Sequence, residues 1–494
     1  MRASGILMPI SSIPSDYGIG CFDKYAYEFV DKLSEAKQKY WQILPLGPTG
    51  YGDSPYQSFS TYAGNPYYIS IEELISEGLL TKKECDSLDF GNGNYIDYKK
   101  IFDERFKILR KAYERSNIAE NEDFKNFKYI NGYWLDDYAL YMAVKDFFGG
   151  EEWIKWPEDI RLRYGYALDY YRKELYFDIE FYEFMQYKFW KQWYKLKKYA
   201  NEKGIKIIGD IPIYVAFDSA DTWSNPSLFQ LDNENKPIAV AGCPPDGFSA
   251  DGQLWGNPLY NWDYHRNTNY DWWVKRIEYC YYAYDVVRID HFRGFDEYYS
   301  IPYGNKTAVN GHWEKGPGIE LFNTISYRLG NKEIIAEDLG YLTDSVRQLV
   351  KDSGYPGMKV FEFAFDSRDS SSANDYLPHN YNSNCVVYTG THDNETLMGW
   401  LKSIEPEEKE MLIKYINTNH KKDKDIVYDC ICTVMGSVAK TCIIPIQDWL
   451  ALDNSARINT PSTLGNNWKW RLDRKQFTSE LIKKISDVTS IYGR

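Results

Sequence analysis

Seven apolar, β-rich runs, the last four read as closing in polar residues, constrain this chain more than any other feature. They are "SGILMP", "YWQILPL", "IKIIGDIPIYV", "YDVVRIDHF", "EIIAEDLG", "MKVFEFAF" and "NCVVYTGTHDNET". Helical periodicity separates them. In "KYAYEFVDKLSEAK" the residues Ala26, Phe29, Val30 and Leu33 recur at helical spacing, and in "FYEFMQYKFWKQWYKLKKYANEKG" Met185, Phe189, Trp193 and Leu196 share one face before Gly204, which fits a C′ position. Continuous apolar strands alternating with helices indicate a parallel sheet covered on both faces.

A (β/α)₈ barrel is favoured over an open doubly wound sheet, because chemically active groups recur at the C-terminal ends of many strands rather than at one switch point. Such a barrel takes roughly 250 residues, so about half of the 494 residues must be insertion. Residues from 71 to about 180, acidic, Tyr-rich and helical in pattern, form the expected inserted subdomain. Residues from about 241 to 260, rich in Gly and Pro, are expected as a lid loop. No Gly/Ser linker or solenoid repeat divides the chain, so residues 1–494 read as a single catalytic barrel with embedded subdomains. Only about 35 residues follow "ARINTPS", so no C-terminal β-sandwich domain is expected.

Charge and composition exclude several classes. The formal net charge of −13 argues against nucleic-acid and anionic-membrane partners. Neither a signal-peptide core nor an apolar run near the roughly 18 residues of a membrane span is present, and a soluble, cytoplasmic protein is expected. The eight cysteines are scattered and read as reduced thiols. The six histidines occur singly, without H-E-x-x-H or a calcium loop, and G-x-G-x-x-G and P-loop motifs are absent, so neither a metal nor a cofactor is expected. Aromatic residues reach 17%, with 45 Tyr and 16 Trp. Most must pack as core, yet flat amphipathic rings also suit stacking on a neutral ligand.

The run "DVVRIDHFRG" concentrates chemistry at one strand end. Alternation turns Val287 and Ile289 to one side and Arg288 and Asp290 to the other. A guanidinium beside Asp290 is expected to lower its pKa and leave a carboxylate able to act as a nucleophile. A structural salt bridge explains this strand alone equally well. Further acids at other strand ends, Glu337 and Asp338 in "EIIAEDLG" and Asp393 beside His392 in "YTGTHDNE", favour a converging pocket in which one group stays protonated. One nucleophile and one acid are what retaining glycosidic cleavage requires. Helix N-capping is the better account of Asp338.

Beyond these residues the sequence resembles the 4-α-glucanotransferases called amylomaltases or disproportionating enzymes, relatives of the α-amylases. The resemblance runs through "SGILMPISSIPSDYGIG", "GYGDSPYQSFSTYAGNPYYI", "GDIPIYVAFDSADTW", "PPDGFSADGQLWGNPLYNW", "VRIDHFRGF", "IIAEDLG", "YTGTHDNET" and "ARINTPSTLGNNWKWRL". It implies transfer of α-1,4-glucan segments between maltooligosaccharides, starch or glycogen-type glucans. It also implies that Asp290 is the nucleophile, Glu337 the general acid/base and Asp393 the group that grips hydroxyls of the distorted sugar. Arg288 and His392 would support the site, Tyr56 and Asp210 line the donor subsite, Trp255 sit in a loop over the cleft, and Asn459 lie at the cleft. Tyr51 is a candidate contact for glucan outside the active site.

Departures from the family pattern bear on the acceptor side. Gly247 stands between Asp246 and Phe248 where the family usually has an aromatic ring, and Ile458 and Ser462 stand where Met and Gly are common. A looser lid would admit water, so an amylase-like hydrolase is the same-class alternative. A non-catalytic glucan-binding protein is the other-class alternative, countered by the presence of all three carboxylates.

Overall fold

The computed structural model describes residues 2–50, 52–91, 93–245, 250–340, 342–367 and 371–494. Tyr51, Asp246, Gly247 and Phe248 lie outside the described residues. The described strands, in chain order, are β1 (Ala3–Leu7), β2 (Tyr40–Gln42), β3 (Lys206–Ile211), β4 (Ala239–Cys243), β5 (Gln253–Pro258), β6 (Val286–Ile289), β7 (Glu297–Pro302), β8 (His312–Lys315), β9 (Ile334–Ala336), β10 (Gly357–Val360), β11 (Cys385–Tyr388) and β12 (Thr441–Pro445). Eight of them, in the order β1, β12, β11, β10, β9, β6, β3, β2, close into a barrel whose pairings are all parallel. The expected (β/α)₈ barrel is therefore present.

The two faces of each barrel strand explain why the runs look uniformly apolar. Leu7, Ile208, Val286, Ile335, Met358, Val386, Tyr388 and Ile443 form a separate buried cluster inside the barrel. Val287 and Ile289, on the opposite face of β6, are fully buried in the larger core shared with the helices. Each such aliphatic side chain contributes about 1.5–3 kcal/mol relative to exposure. Inside the barrel, the sequence Val286, Arg288, Asp290 climbs from the apolar floor to the C-terminal rim, because alternate side chains share a face.

Helices complete the repeats. Helix Lys24–Glu35 buries Ala26, Phe29, Val30 and Leu33 and starts at Asp23, whose side chain accepts a hydrogen bond from Tyr25 N. Helix Tyr176–Glu202 buries Met185, Phe189, Trp193 and Leu196 completely and ends against Gly204 at φ +76°. Between β2 and β3 the regular structure is helical, and Tyr176–Glu202 runs unbroken across position 180 into the barrel repeat. Among the described residues no helix is long and apolar enough to cross a membrane.

An antiparallel sheet, β5-β4-β7-β8, stands beside the barrel, its strands supplied by the segments before and after β6. Segment 241–260, expected as a loop, thus contains the end of β4 and all of β5, and Trp255 lies on a strand. The two strands approach closely at Gly242, where a Cβ would stand 2.1 Å from Gln253 O.

Candidate active site

The strand ends assemble one constellation. Asp210 ends inside the barrel on β3, Arg288 on β6, and Asp290 and Glu337 follow β6 and β9 directly. Arg288 Nη1 donates to Asp210 Oδ1 and Oδ2 at 2.7 and 2.6 Å, while Nη2 lies 3.0 Å from Asp290 Oδ1. Tyr56, from the loop after β2, donates to Asp210 Oδ2 at 2.7 Å. Arg288 and Asp210 are almost wholly buried, whereas the Asp290 side chain keeps 30% exposure toward the cleft. Asp290 is thus the carboxylate of this network that a ligand can reach.

Arg288 lowers the pKa of Asp290 as expected, but it does not win. Burial, followed in order by the opposing Arg288 charge and the repulsion of Asp210 and Asp393, carries Asp290 up to about 6. The expectation of a depressed pKa is corrected: the guanidinium is divided between two carboxylates, and desolvation of a deep cleft floor outweighs its remaining share. Burial and the neighbouring Asp290 push Glu337 further, to about 8. Near neutral pH the site therefore holds one carboxylate and one carboxylic acid.

Glu337 is anchored by backbone donors. Its Oε2 accepts from His291 N at 2.6 Å and its Oε1 from Leu339 N at 2.9 Å. His291 adopts φ +51°, a left-handed conformation that bends the chain so that the amide after Asp290 faces Glu337. Trp255 meets the His291 ring edge-on, with centroids 4.8 Å apart. Burial and Arg293 hold this imidazole neutral, down to about 3. His291 belongs to the "DVVRIDHFRG" run but is not among the site residues expected from the sequence. Its backbone role carries no sequence signal.

The opposite wall comes from the ends of β11 and the C-terminal loop. Asp393 Oδ1 accepts from Asn459 Nδ2 at 2.7 Å and lies 3.4 Å from His392 Nε2. Asn459 N donates to His392 O at 3.1 Å, and Arg457 Nη2 to Asp393 O at 2.8 Å. Tyr56 stacks on His392 at 5.2 Å and 14°, and Trp468 lies 5.9 Å from Tyr56 and 6.0 Å from His392. Trp468, another residue not singled out, sits in the "NNWKWRL" stretch, where a Trp-rich loop was the available signal. Asp338 caps no helix: Thr343 caps the one that follows, and Asp338 Oδ1 accepts from Met358 N at 2.7 Å.

Several of these groups border a cleft of about 460 Å³ lined by Tyr56, Trp255, Asp290, His291, Asp393, Asn459, Ser462 and Trp468 among others. That volume is in the range of small-ligand pockets. Tyr and Trp rings face carboxylates and amides across it, the mixture that suits a sugar's apolar faces and hydroxyl edges. Among the described residues no group of three His, Cys, Asp or Glu side chains is placed to hold a metal ion.

Known proteins match this chain over nearly its whole length. The 4-alpha-glucanotransferase family model covers residues 8–476. A 4-alpha-glucanotransferase of Clostridium butyricum is 52% identical over 490 residues, covering 99% of this chain and 100% of that protein. The relative from Thermus thermophilus, of the same name, is 43% identical over 480 residues, 95% of each chain. A solved amylomaltase from Streptococcus agalactiae, in complex with acarbose, superposes with a TM-score of 0.96 at 43% identity and 100% coverage of both chains. The chain belongs to the 4-alpha-glucanotransferase family.

Proposed function

We propose that this chain transfers α-1,4-glucan segments by double displacement at Asp290 and Glu337. Asp290, the more acidic of the pair, attacks the anomeric carbon of the donor. Glu337 gives its proton to the departing glycosidic oxygen, and the reducing-end fragment leaves with a free 4-hydroxyl. A β-linked glycosyl ester on Asp290 remains. The 4-hydroxyl of an acceptor then loses its proton to Glu337 and attacks the same carbon. The ester bond breaks, and the α linkage is restored. Asp393, oriented by Asn459, is placed to bind hydroxyls of the distorted sugar. Tyr56 and Asp210 border the donor side, and Trp255 the cleft mouth.

The observation that carries this reading is the separation of two acids on neighbouring strands: Asp290 tied to Arg288, and Glu337, held by backbone amides, raised further by burial and by Asp290. Maltooligosaccharides and starch or glycogen-type glucans are the substrates it fits, and the acarbose held by the Streptococcus relative is consistent with that class. Eight free thiols fit a reducing, cytoplasmic setting.

Incubation with maltotriose tests the reaction. Released glucose together with a ladder of longer oligosaccharides is expected, since hydrolysis cannot lengthen chains; maltose and glucose alone would replace transfer by hydrolysis. Asp290→Asn is expected to abolish turnover while glucan binding stays measurable, and full activity in that variant would remove Asp290 as nucleophile.

A further inference from the structure

The three nitrogens of the Arg288 guanidinium have three different partners. Nη1 is held by Asp210 and Nη2 faces Asp290, while Nε donates to Met358 Sδ at 3.3 Å. Met358, on β10, is only 1% exposed and belongs to the apolar cluster inside the barrel. The tyrosine of that cluster, Tyr388, donates elsewhere, to Gln42 Oε1 at 2.8 Å. The thioether therefore satisfies a buried N–H that would otherwise be stranded against apolar side chains.

A weak, neutral acceptor suits this place. The guanidinium is planar, so once Asp210 fixes Nη1, the contact at Nε sets the plane of the group and with it the direction of Nη2. An anion at position 358 would compete with Asp290 for the same cation. Sulfur satisfies Nε–H without drawing the charge away from Asp290.

Met358 is itself held from the side of Glu337. Strands β9 and β10 pair in register at one position, Ala336 with Gly357. Beyond Ala336 the chain leans toward β6: Glu337 N donates to Ile289 O at 3.1 Å, and Glu337 O accepts from Phe292 N at 2.9 Å. Asp338 spans the resulting gap, its Oδ1 accepting from Met358 N at 2.7 Å where a strand carbonyl would otherwise stand. A Cβ on Gly357 would lie 2.4 Å from Asp338 Oδ2, so this close approach needs glycine. One residue past Glu337, Asp338 thus fixes the strand from which Met358 reaches Arg288.

We propose that Met358 is a positioning residue for the nucleophile: its thioether fixes the plane of the Arg288 guanidinium, so that Nη2 stays directed at Asp290. The inference rests on the reading that Asp290 is that nucleophile. The charged and titratable groups facing Asp290 are Arg288 from β6 itself, Asp210 from β3, Glu337 from the end of β9, and His392 and Asp393 from the loop after β11. Of these, Arg288 favours the carboxylate most, so a guanidinium that turns away leaves Asp290 harder to ionise.

The test uses Met358→Leu, which removes the acceptor at nearly constant volume, and Met358→Gln, whose side-chain carbonyl supplies one again. Both are compared with wild type on maltotriose, with kcat and KM separated and the acid limb of kcat/KM followed, and Asp290 is titrated by ¹³C carboxyl resonance without substrate. In Met358→Leu, kcat is expected to fall about two- to tenfold, the effect of one ordinary hydrogen bond, with KM little changed. The acid limb and the Asp290 titration both move to higher pH. In Met358→Gln both return toward their wild-type positions. A core merely loosened by the substitution would lower kcat at every pH alike and leave the limb in place. An unmoved limb and titration in Met358→Leu would overturn the positioning role, whether or not Met358→Gln folds. Met358→Gln displaced as far as Met358→Leu would make side-chain shape, not the acceptor, responsible and would overturn it too. Full turnover in Asp290→Asn would instead remove the assignment of Asp290, while the titration still reads the contact between Met358 and Arg288.

Discussion

One guanidinium serves two carboxylates: Arg288 Nη1 holds both oxygens of Asp210 at 2.7 and 2.6 Å, and Nη2 lies 3.0 Å from Asp290. Asp210 is fully buried, so its charge depends on that fork. Replacing Arg288 by Met strands Asp210 and is expected to cost about 3–5 kcal/mol of stability, read from chemical denaturation. Arg288→Lys supplies charge without the planar fork, so it should recover part of the stability but little of kcat/KM. A Met variant as stable as wild type would contradict the arrangement.

The acids make the site pH-dependent from both sides. The proposed mechanism requires Asp290 ionised and Glu337 protonated, so kcat/KM is expected to rise through the ionisation near 6 and fall through the one near 8. Those limbs belong to the pair rather than to either acid alone. Because Asp290 is a cause of the elevation of Glu337, Asp290→Asn should bring Glu337 down, followed by ¹³C carboxyl titration. The sign for stability is the same for both groups. Native pKa values raised above the unfolded range of about 4 favour folding below that range and lose that contribution as pH climbs toward 8. Thermal midpoints should decline over that interval, less so in the Asp290→Asn protein.

Much of this was legible in the sequence, because a barrel strand buried on both faces must be apolar until it reaches the rim, where Arg288, Asp290 and Glu337 stand. Alternation alone placed Arg288 and Asp290 on one wall. The eighth strand, "TCIIP", was missed because it is short and ends in proline, with its buried acid, Asp448, already in the following helix. The β4–β5 hairpin was read as loop because Gly and Pro interrupt its alternation. Asp290 was expected too low in pKa because a strand pattern reveals its Arg288 neighbour but not Asp210 on the adjacent strand. The Tyr56–His392 stack joins loops far apart in sequence, and only the closed barrel brings them together.

His291 joins backbone strain to the acid. A left-handed non-glycine residue costs about 1–2 kcal/mol, accepted here because its N–H reaches Glu337 at 2.6 Å. His291→Gly should relieve the strain and keep that bond, so the alkaline limb of the pH profile stays near its wild-type position. The ring that Trp255 meets edge-on is lost, however. The fraction of maltotriose turnover ending in hydrolysis should therefore rise as Trp255 loses its seat, and Trp255→Ala should raise it similarly. An alkaline limb that moves in His291→Gly would mean that the imidazole, not the amide, sets Glu337.

Asn459 is the residue whose removal isolates the contribution of Asp393. Its Nδ2 donates to Asp393 Oδ1 at 2.7 Å, its N to His392 O at 3.1 Å, and its O accepts from Arg457 Nε at 2.8 Å. Only the first of these bonds is lost in Asn459→Ala, since the others use the backbone. A hydrogen bond to a charged group contributes about 1.5–3 kcal/mol, which converts to a loss of about 10- to 150-fold. In the proposed mechanism Asp393 binds the distorted sugar, so the loss should fall on kcat rather than KM, while the thermal midpoint changes little because the loop keeps its backbone bonds. Asn459→Asp sets a carboxylate against Asp393 and should be more damaging than Ala at neutral pH, recovering as the medium is acidified. If Asn459→Ala instead raised KM alone, Asn459 would be a ground-state contact and Asp393 would be oriented without it.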